Sequence, residues 1–283
     1  MSRKVILGIP NKGRLQKQTV DFLKENGLEI ERGRGDRGYI GKLIGYDNIE
    51  LIFLSPKEIS LELMKGSIDL GVTGLDLVNE YVHLPDTNTH NILELGFGKA
   101  DVVVAVPISW IDVMSINDLE DVIYNFRVST GKRLRIATKY PNISRNFFEK
   151  IGLSDYLLVD SHGATEGAPA YGSSEIIIDI TSTGSTLAAN QLKRIESGTI
   201  LESQACLFSG LNRNWSKDKM ITLSGLLNLL GSDKAHISKI LSLLFCFVKL
   251  NIFSTTSSVS GRGISTSPVT KNSEFQKDFL PVK

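Results

Sequence analysis

The chain has little cysteine, no excess of either charge and no long apolar run, and each absence removes a class of function. Two cysteines among 283 residues, Cys206 and Cys246, make neither a disulfide framework nor a cysteine-rich metal site. Both lie in apolar stretches and read as buried thiols. A formal net charge of +1 leaves no bulk attraction for nucleic acid or an acidic membrane, so any anion site must be local. The longest apolar stretch, residues 241–248, is well short of a membrane span. The apolar run within residues 1–10 is too short for a signal peptide and reads as a first strand, which makes the cytoplasm the expected location. His83, His90, His162 and His236 are scattered without metal-ligand spacing, so no protein metal ligands are expected. No Ser–His–Asp set or nucleophilic cysteine stands out. Hydrophobic content of 41% and charged content of 22% fit a globular protein of one large domain or two small ones.

What is present is most informative between residues 163 and 187. The apolar run 176–178 reads as a buried strand that ends at Asp179. Small hydroxylated residues around Gly184 follow, and residues 187–195 have helical spacing. A strand, a tight Thr/Ser/Gly loop and a helix N-terminus together favour an anion. Asp179 cannot hold a phosphate, but it can accept hydrogen bonds from ribose hydroxyls. Strand acid plus phosphate loop suggests a sugar phosphate. The same residues would also serve an ordinary capped strand-to-helix turn. The loop lacks a Gly-Lys-Ser/Thr ending, which argues against a P-loop nucleoside triphosphatase.

Strand-like and helix-like runs alternate along the chain, as in a parallel α/β sheet. Strands are expected at 5–9, 49–54 and 69–72, with helices at 15–26, 56–65 and 76–81. A second α/β unit begins near residue 96, with strands at 102–106, 135–138, 156–160, 175–180 and 199–208 and helices at 115–125, 143–151 and 187–194. Residues 219–230 and 235–249 follow as two amphipathic to apolar helices. From Ser254 the Ser, Thr, Gly and Lys composition is that of a disordered tail.

Lys12, Gly13 and Arg14 lie between the first strand and the first helix, at the sheet edge where open α/β folds bind ligands. Two cations flanking a glycine suit a phosphate or pyrophosphate, although a solvated basic turn is the commoner fate of such a tripeptide. Gly71 and Gly74 flank a strand–turn–helix start, where they would let a flat ligand approach closely. Asp76 beside them could equally cap the next helix.

Residues 163–187, with Ala137-Thr138-Lys139-Tyr140 upstream and Lys12-Gly13-Arg14 near the N-terminus, resemble the ATP phosphoribosyltransferase family, in the family's order and from about residue 6 to about residue 206. The resemblance implies two α/β lobes arranged like the type II periplasmic binding proteins, with the site in the cleft between them. Lobe one would comprise residues 1–94 and 188–210, and lobe two residues 95–187. A helical extension, 211–253, and a disordered tail, 254–283, would follow. The long form of the family adds a histidine-binding domain of alternating strands and helices. That alternation is missing here, so the chain resembles the short form, which works with a histidyl-tRNA synthetase-like regulatory subunit.

The substrates implied are ATP and phosphoribosyl pyrophosphate, with Mg²⁺ carried on substrate oxygens. Lys12, Arg14 and Arg37 would neutralise pyrophosphate, Arg37 being taken ahead of Arg32 and Arg34 in the same loop because an aromatic residue and a strand follow it. Thr183, Gly184, Ser185 and Thr186, preceded by Thr181 and Ser182, would form the 5′-phosphate loop, and Asp179 would hold the ribose. Gly71, Gly74 and Asp76 would lie against the nucleotide, Glu166 near ribose or adenine, and Lys139 at the same sheet edge as the loop. Many members carry an arginine where this chain has Leu54, and Lys57 is the nearest cation left to substitute. A two-lobed solute-binding protein without catalysis is the alternative, because the architecture alone does not separate the two.

Overall fold

The structure, a computed structural model, describes residues 4–33, 38–161 and 163–257, with side chains as far as residue 247. In chain order its elements are β1 (Val5–Pro10), α1 (Gly13–Glu25), β2 (Ile30–Arg32), β3 (Ile40–Leu43), β4 (Tyr46–Leu54), α2 (Pro56–Lys65), β5 (Leu70–Gly74), α3 (Leu75–Tyr81) and α4 (Pro85–Asn88). Next come β6 (Thr89–Glu94), β7 (Ala100–Pro107), α5 (Ile116–Thr130), β8 (Leu134–Thr138), α6 (Pro141–Lys150), β9 (Tyr156–Asp160) and a 3-10 turn at Thr165–Gly167. The last are β10 (Ile176–Thr181), α7 (Ser185–Ala189), β11 (Leu192–Ser203), β12 (Ala205–Gly210), α8 (Lys217–Leu229) and α9 (Lys234–Ser257). They build a seven-stranded sheet, β2-β3-β4-β1-β5-β12-β6, and a five-stranded sheet, β11-β7-β10-β8-β9.

The chain divides into two compact units: residues 1–72, 86–92 and 207 onward, and residues 73–85 with 93–206. This division differs from the one implied by resemblance. β11 pairs antiparallel with β7, so residues 192–203 complete the second sheet instead of joining lobe one. Residues 73–85, which carry α3, also group with the second unit.

In unit one, β1 pairs parallel with both β4 and β5. α2 occupies the expected 56–65 because its start is doubly capped. The Ser55 hydroxyl accepts from the Glu58 amide at 3.3 Å, the Glu58 carboxylate accepts from the Ser55 amide at 2.8 Å, and Pro56 opens the first turn. Its buried Ile59 and Leu63 press onto the sheet. Among the described residues, those after Gly210 form two helices and no strand. This segment is tied down through Asp69, which is fully buried. Asp69 accepts from Arg213 Nε at 2.7 Å, from Lys219 Nζ at 2.7 and 2.9 Å, and from the Ile6 amide at 2.9 Å. The indole of Trp215 donates to the Gly210 carbonyl at 2.9 Å. α9 is held to β6 by His236, whose Nε2 lies 2.7 Å from the Ile92 carbonyl. The expected tail from residue 254 is helical through 257, and residues 258–283 lie outside the described residues.

The central strands of unit two, β7, β10 and β8, are apolar on both faces, as strands covered on both sides are. Val102, Val104, Ile136, Ile176 and Ile178 point to one side, where they pack with Leu119 and Ile123 of α5 and Phe148 of α6. Val103, Ala105, Ala137 and Ile177 point to the other, against Ala168, Leu187 and Leu192. Each large aliphatic so buried contributes about 1.5–3 kcal/mol. The second face is lined by small residues, and that lets the 3-10 turn and the short α7 lie close to the sheet. The expected helix 187–194 stops at Ala189. Gln191 takes a left-handed backbone (φ 57°), which turns the chain into β11. Leu187, Leu192 and Ile195 are spaced to suit a helix, but Leu192 and Ile195 are buried as residues of a strand with a register shift after Arg194. The expected strand 199–208 is in fact two, β11 and β12.

Candidate active site

In unit two, β8, β9 and β10 run parallel, so their C-terminal ends share an edge. β11 ends there too, because it and β10 both oppose β7. Ligands of open α/β sheets sit outside such an edge. From it project Lys139, Ser161, the loop after β10 and Ser203.

Asp179 is half-buried in β10, on the same face as Ile177 and thus on the side covered by α7 and the 3-10 turn. Its Oδ1 accepts from the Ile180 amide at 2.8 Å. Burial raises its carboxyl above the ordinary aspartate range. The Ile180 N–H, the Lys139 charge and the Thr165 hydroxyl pull it back down, while Glu166 pushes it further up. Four residues from three separate segments therefore meet at this carboxylate. Lys139 is exposed, Thr165 is fully buried, and Thr165 Oγ1 donates to Ser161 Oγ at 3.1 Å.

The following loop folds on its own hydroxyls. Thr181 is buried, and its Oγ1 accepts from the Gly184 amide at 2.9 Å, bracing the turn from within. Gly184 has φ +75°, a backbone that side-chain-bearing residues adopt only at a cost. Thr183 Oγ1 and Ser185 Oγ lie 2.9 Å apart. Ser182, Thr183, Ser185 and Thr186 are exposed at the start of α7. Since α7 is only five residues long, hydroxyls and loop amides, more than a helix dipole, would attract an anion here.

The edge of sheet one is simpler. Lys12 and Arg14 are exposed where β1 passes into α1, and Lys12 is the N-cap residue of that helix without capping it by its side chain. Lys12 is near enough to Glu58 to favour its charged form. Arg37 lies outside the described residues, as does His162. The neighbouring alternative to Arg37, Arg32 of β2, does reach this edge. Its Nη2 donates to the Asn11 carbonyl at 3.2 Å, and its guanidinium lies 3.7 Å from the centroid of the Phe53 ring. It sits on the edge strand β2, paired with β3, the strand expected after Arg37, while β2 itself was not expected. Lys57 is exposed in the first turn of α2, directly after the capped turn that follows Leu54.

Gly71, Gly74 and Asp76 each have a packing or hydrogen-bonding partner within the chain. A Cβ on Gly71 would meet Ile59 Cγ2 at 2.4 Å and Leu63 Cδ1 at 3.1 Å, so this glycine admits α2 to the sheet. Gly74 leaves room for the Asp76 carboxylate. Asp76 is 6% exposed and does not cap α3 with its side chain. Its Oδ2 accepts from the Tyr140 hydroxyl at 3.1 Å, and its Oδ1 accepts from the Ser203 hydroxyl at 2.8 Å. Burial, with the charge of Asp76, holds the Tyr140 phenol strongly in its neutral form.

The metal-ligand arithmetic is similarly spare: among the described residues no group of three or more His, Cys, Asp or Glu is placed to hold an ion. No helix among them is long and apolar enough to cross a membrane.

Comparison with known proteins adds to this geometry. Residues 55–230 match the family model described as ATP phosphoribosyltransferase. The ATP phosphoribosyltransferase of Bradyrhizobium diazoefficiens is 49% identical over 216 residues, which is 76% of this chain and 66% of that protein. That of Afipia carboxidovorans is 46% identical over 232 residues, 82% of this chain and 71% of that protein. The match thus spans about two thirds of the length of these relatives. Among solved structures, a chain of the ATP phosphoribosyl transferase (HisG:HisZ) complex from Thermotoga maritima superposes with a TM-score of 0.61 at 24% identity. That alignment covers 83% of this chain and 99% of the other, and it is a likeness of fold.

Proposed function

The chain belongs to the ATP phosphoribosyltransferase family, and on that premise we propose that it joins ATP to phosphoribosyl pyrophosphate, giving phosphoribosyl-ATP and pyrophosphate, the first step of histidine biosynthesis. It is then a pentosyltransferase. In this reaction adenine N1 forms a bond to the anomeric carbon while the bond from that carbon to pyrophosphate breaks. Positive charge develops on the ribose and negative charge on the leaving group, so the enzyme must position and neutralise more than it must abstract a proton.

The observation that carries this reading is the meeting of Asp179, Glu166 and Lys139 beside a loop of exposed hydroxyls on one sheet edge. Asp179 accepts from the ribose hydroxyls. Thr183, Gly184, Ser185 and Thr186 hold the 5′-phosphate, with Ser182 exposed beside them and Thr181 bracing the turn. Lys139 offers its charge to the phosphoribosyl group. Lys12 and Arg14, with Arg32 at the same edge and Arg37 in the neighbouring loop, neutralise pyrophosphate. Mg²⁺ accompanies the substrates and supplies further neutralisation of pyrophosphate. It takes its oxygen ligands largely from the substrate phosphates and water, so no protein cage is needed for it.

Among the described residues, those after Gly210 form two helices and no strand, the pattern that the short-form reading expects. Histidine inhibition then resides on a histidyl-tRNA synthetase-like regulatory subunit in a hetero-oligomer, and the cytoplasm is the place of work. The test is phosphoribosyl-ATP formation from ATP, phosphoribosyl pyrophosphate and Mg²⁺, with and without that subunit. Formation that needs or rises with the subunit is expected. No product in either condition overturns the reading. Histidine binding to the pure chain at physiological concentration would defeat the short-form part alone.

A further inference from the structure

Lys139 is an exposed residue held between two buried ones, and what holds them comes from α3. Thr138 is 1% exposed and Tyr140 is 7% exposed. The Tyr140 amide donates to Thr138 Oγ1 at 2.9 Å, closing the backbone around Lys139. Tyr140 is also the N-cap residue of α6, and its carbonyl accepts from the Ser144 amide at 3.0 Å and the Ser144 hydroxyl at 2.6 Å. Its phenol reaches back to Asp76 at the start of α3.

One turn further along α3, Glu80, 3% exposed, takes the free amides of the same α6 terminus. Its carboxylate accepts from the Asn142 amide at 3.1 Å and the Ile143 amide at 3.0 Å. Asn142 Nδ2 donates to the Glu80 carbonyl at 2.9 Å. α3 therefore grips the turn after β8 at two points, and Lys139 is carried between them. Each carboxylate oxygen of Asp76 already accepts one hydrogen bond, from Tyr140 on one and from Ser203 on the other, and the Asp76 amide donates to Ser203 Oγ at 3.0 Å. A carboxylate satisfied in this way inside the protein is poorly suited to touch a nucleotide.

We infer that Asp76, acting through the Tyr140 hydroxyl, is a positioning residue that holds Lys139 in place beside Asp179, and does not itself contact ATP. This rests on the proposed reaction for its kinetic consequence but not for its structural one. Lys139 then serves the phosphoribosyl end of the reaction, and α3 sets its place.

The experiment uses Tyr140→Phe, Asp76→Asn and Lys139→Ala in the assembly in which the unaltered chain is active. Tyr140→Phe keeps the buried ring and removes only the bond to Asp76. Tyr140→Phe and Asp76→Asn are each expected to raise KM for phosphoribosyl pyrophosphate at least roughly fivefold, with KM for ATP within about twofold of the unaltered enzyme. Tyr140→Phe on the Lys139→Ala background should add nothing further. An Asp76→Asn variant that raises KM for ATP, beside a Tyr140→Phe variant that changes neither constant, overturns the inference.

A second readout needs no turnover: the titration of Asp179 followed by carboxyl ¹³C NMR. Lys139→Ala should move the Asp179 midpoint upward, because a nearby cation is lost. Tyr140→Phe should move it the same way, and the double variant should match Lys139→Ala. An Asp179 midpoint that Tyr140→Phe leaves unmoved also overturns the inference. If the unaltered enzyme makes no phosphoribosyl-ATP, the proposed reaction fails, and this titration still decides the positioning role.

Discussion

Asp69, just before β5, and Asp179, within β10, are both strand-associated acids, and the protein treats them in opposite ways. Asp69 precedes β5 with no exposure, and its oxygens are filled by a guanidinium, an ammonium and an amide. Asp179 is half-buried, receives its own neighbour's amide, and faces Glu166 as well as Lys139. The first carboxylate is saturated and holds a helical segment to a sheet. Among the described residues the second is met by the Ile180 amide and the Thr165 hydroxyl and by no ion pair inside the protein fold that fills both oxygens. A structural acid is recognised by how completely it is paired, and a candidate functional one by what it is left wanting.

The contrast breaks most readily at Asp69. Asp69→Ala leaves Lys219, itself only 5% exposed, without its buried partner. The expected loss is about 3–5 kcal/mol of stability, read from the urea midpoint, because removing one member of a buried pair strands the other charge. Stability within about 1 kcal/mol of the unaltered chain would show that the pair is relaxed by water or repacking.

Asp179→Ala is expected to do the reverse. Its urea midpoint should hardly move, while turnover falls at least roughly tenfold, or ~1.4 kcal/mol of transition-state stabilisation. Arg14→Ala, exposed on the edge of the other sheet, should give a loss of at least the same order. Unchanged rates in both variants would remove these residues from the mechanism.

The smallest effect concerns pH. His90 on β6 is half-buried, and burial, with the charges of Lys239 and His236 on α9, holds its pKa below the ordinary 6.5, against the weaker opposing pull of Asp86. The unfolded chain thus takes up this proton first, and stability falls as pH drops through about 6.5. Urea midpoints measured from pH 7.5 to pH 5 should decline, and His90→Gln should flatten the slope. An equal slope in the variant would assign the decline to other groups.

Much of this was legible before any coordinates. Residues 176–178 announce a strand by their unbroken apolar run, and the helix expected at 56–65 is α2, whose start Ser55, Pro56 and Glu58 fix by local chemistry. The Asp179 loop was readable because its residues are contiguous. What was not legible depended on distance along the chain. Asp76 looked like a cap or a ligand contact, since its partners Tyr140 and Ser203 lie 64 and 127 residues away. Gly71 looked like a ligand platform, because nothing local shows that Ile59 and Leu63 fill its missing side chain. Leu187, Leu192 and Ile195 fit a helix by spacing, and only the pairing of β11 with β7 decides for a strand. Arg32 gained its place through β2, a short strand that was not expected.

The order of strands in the second sheet also bears on how the chain is made. β7 contains Val102–Val106, five residues with no exposure in the finished fold, and its sheet neighbours are β10 and β11. Neither exists when β7 leaves the ribosome: β7 ends at Pro107 and β10 begins only at Ile176. At about 5–20 residues per second, this strand waits on the order of several seconds for its first partner. During synthesis its apolar run stands exposed, and a slowly translated stretch between residues 107 and 176 would lengthen that exposure.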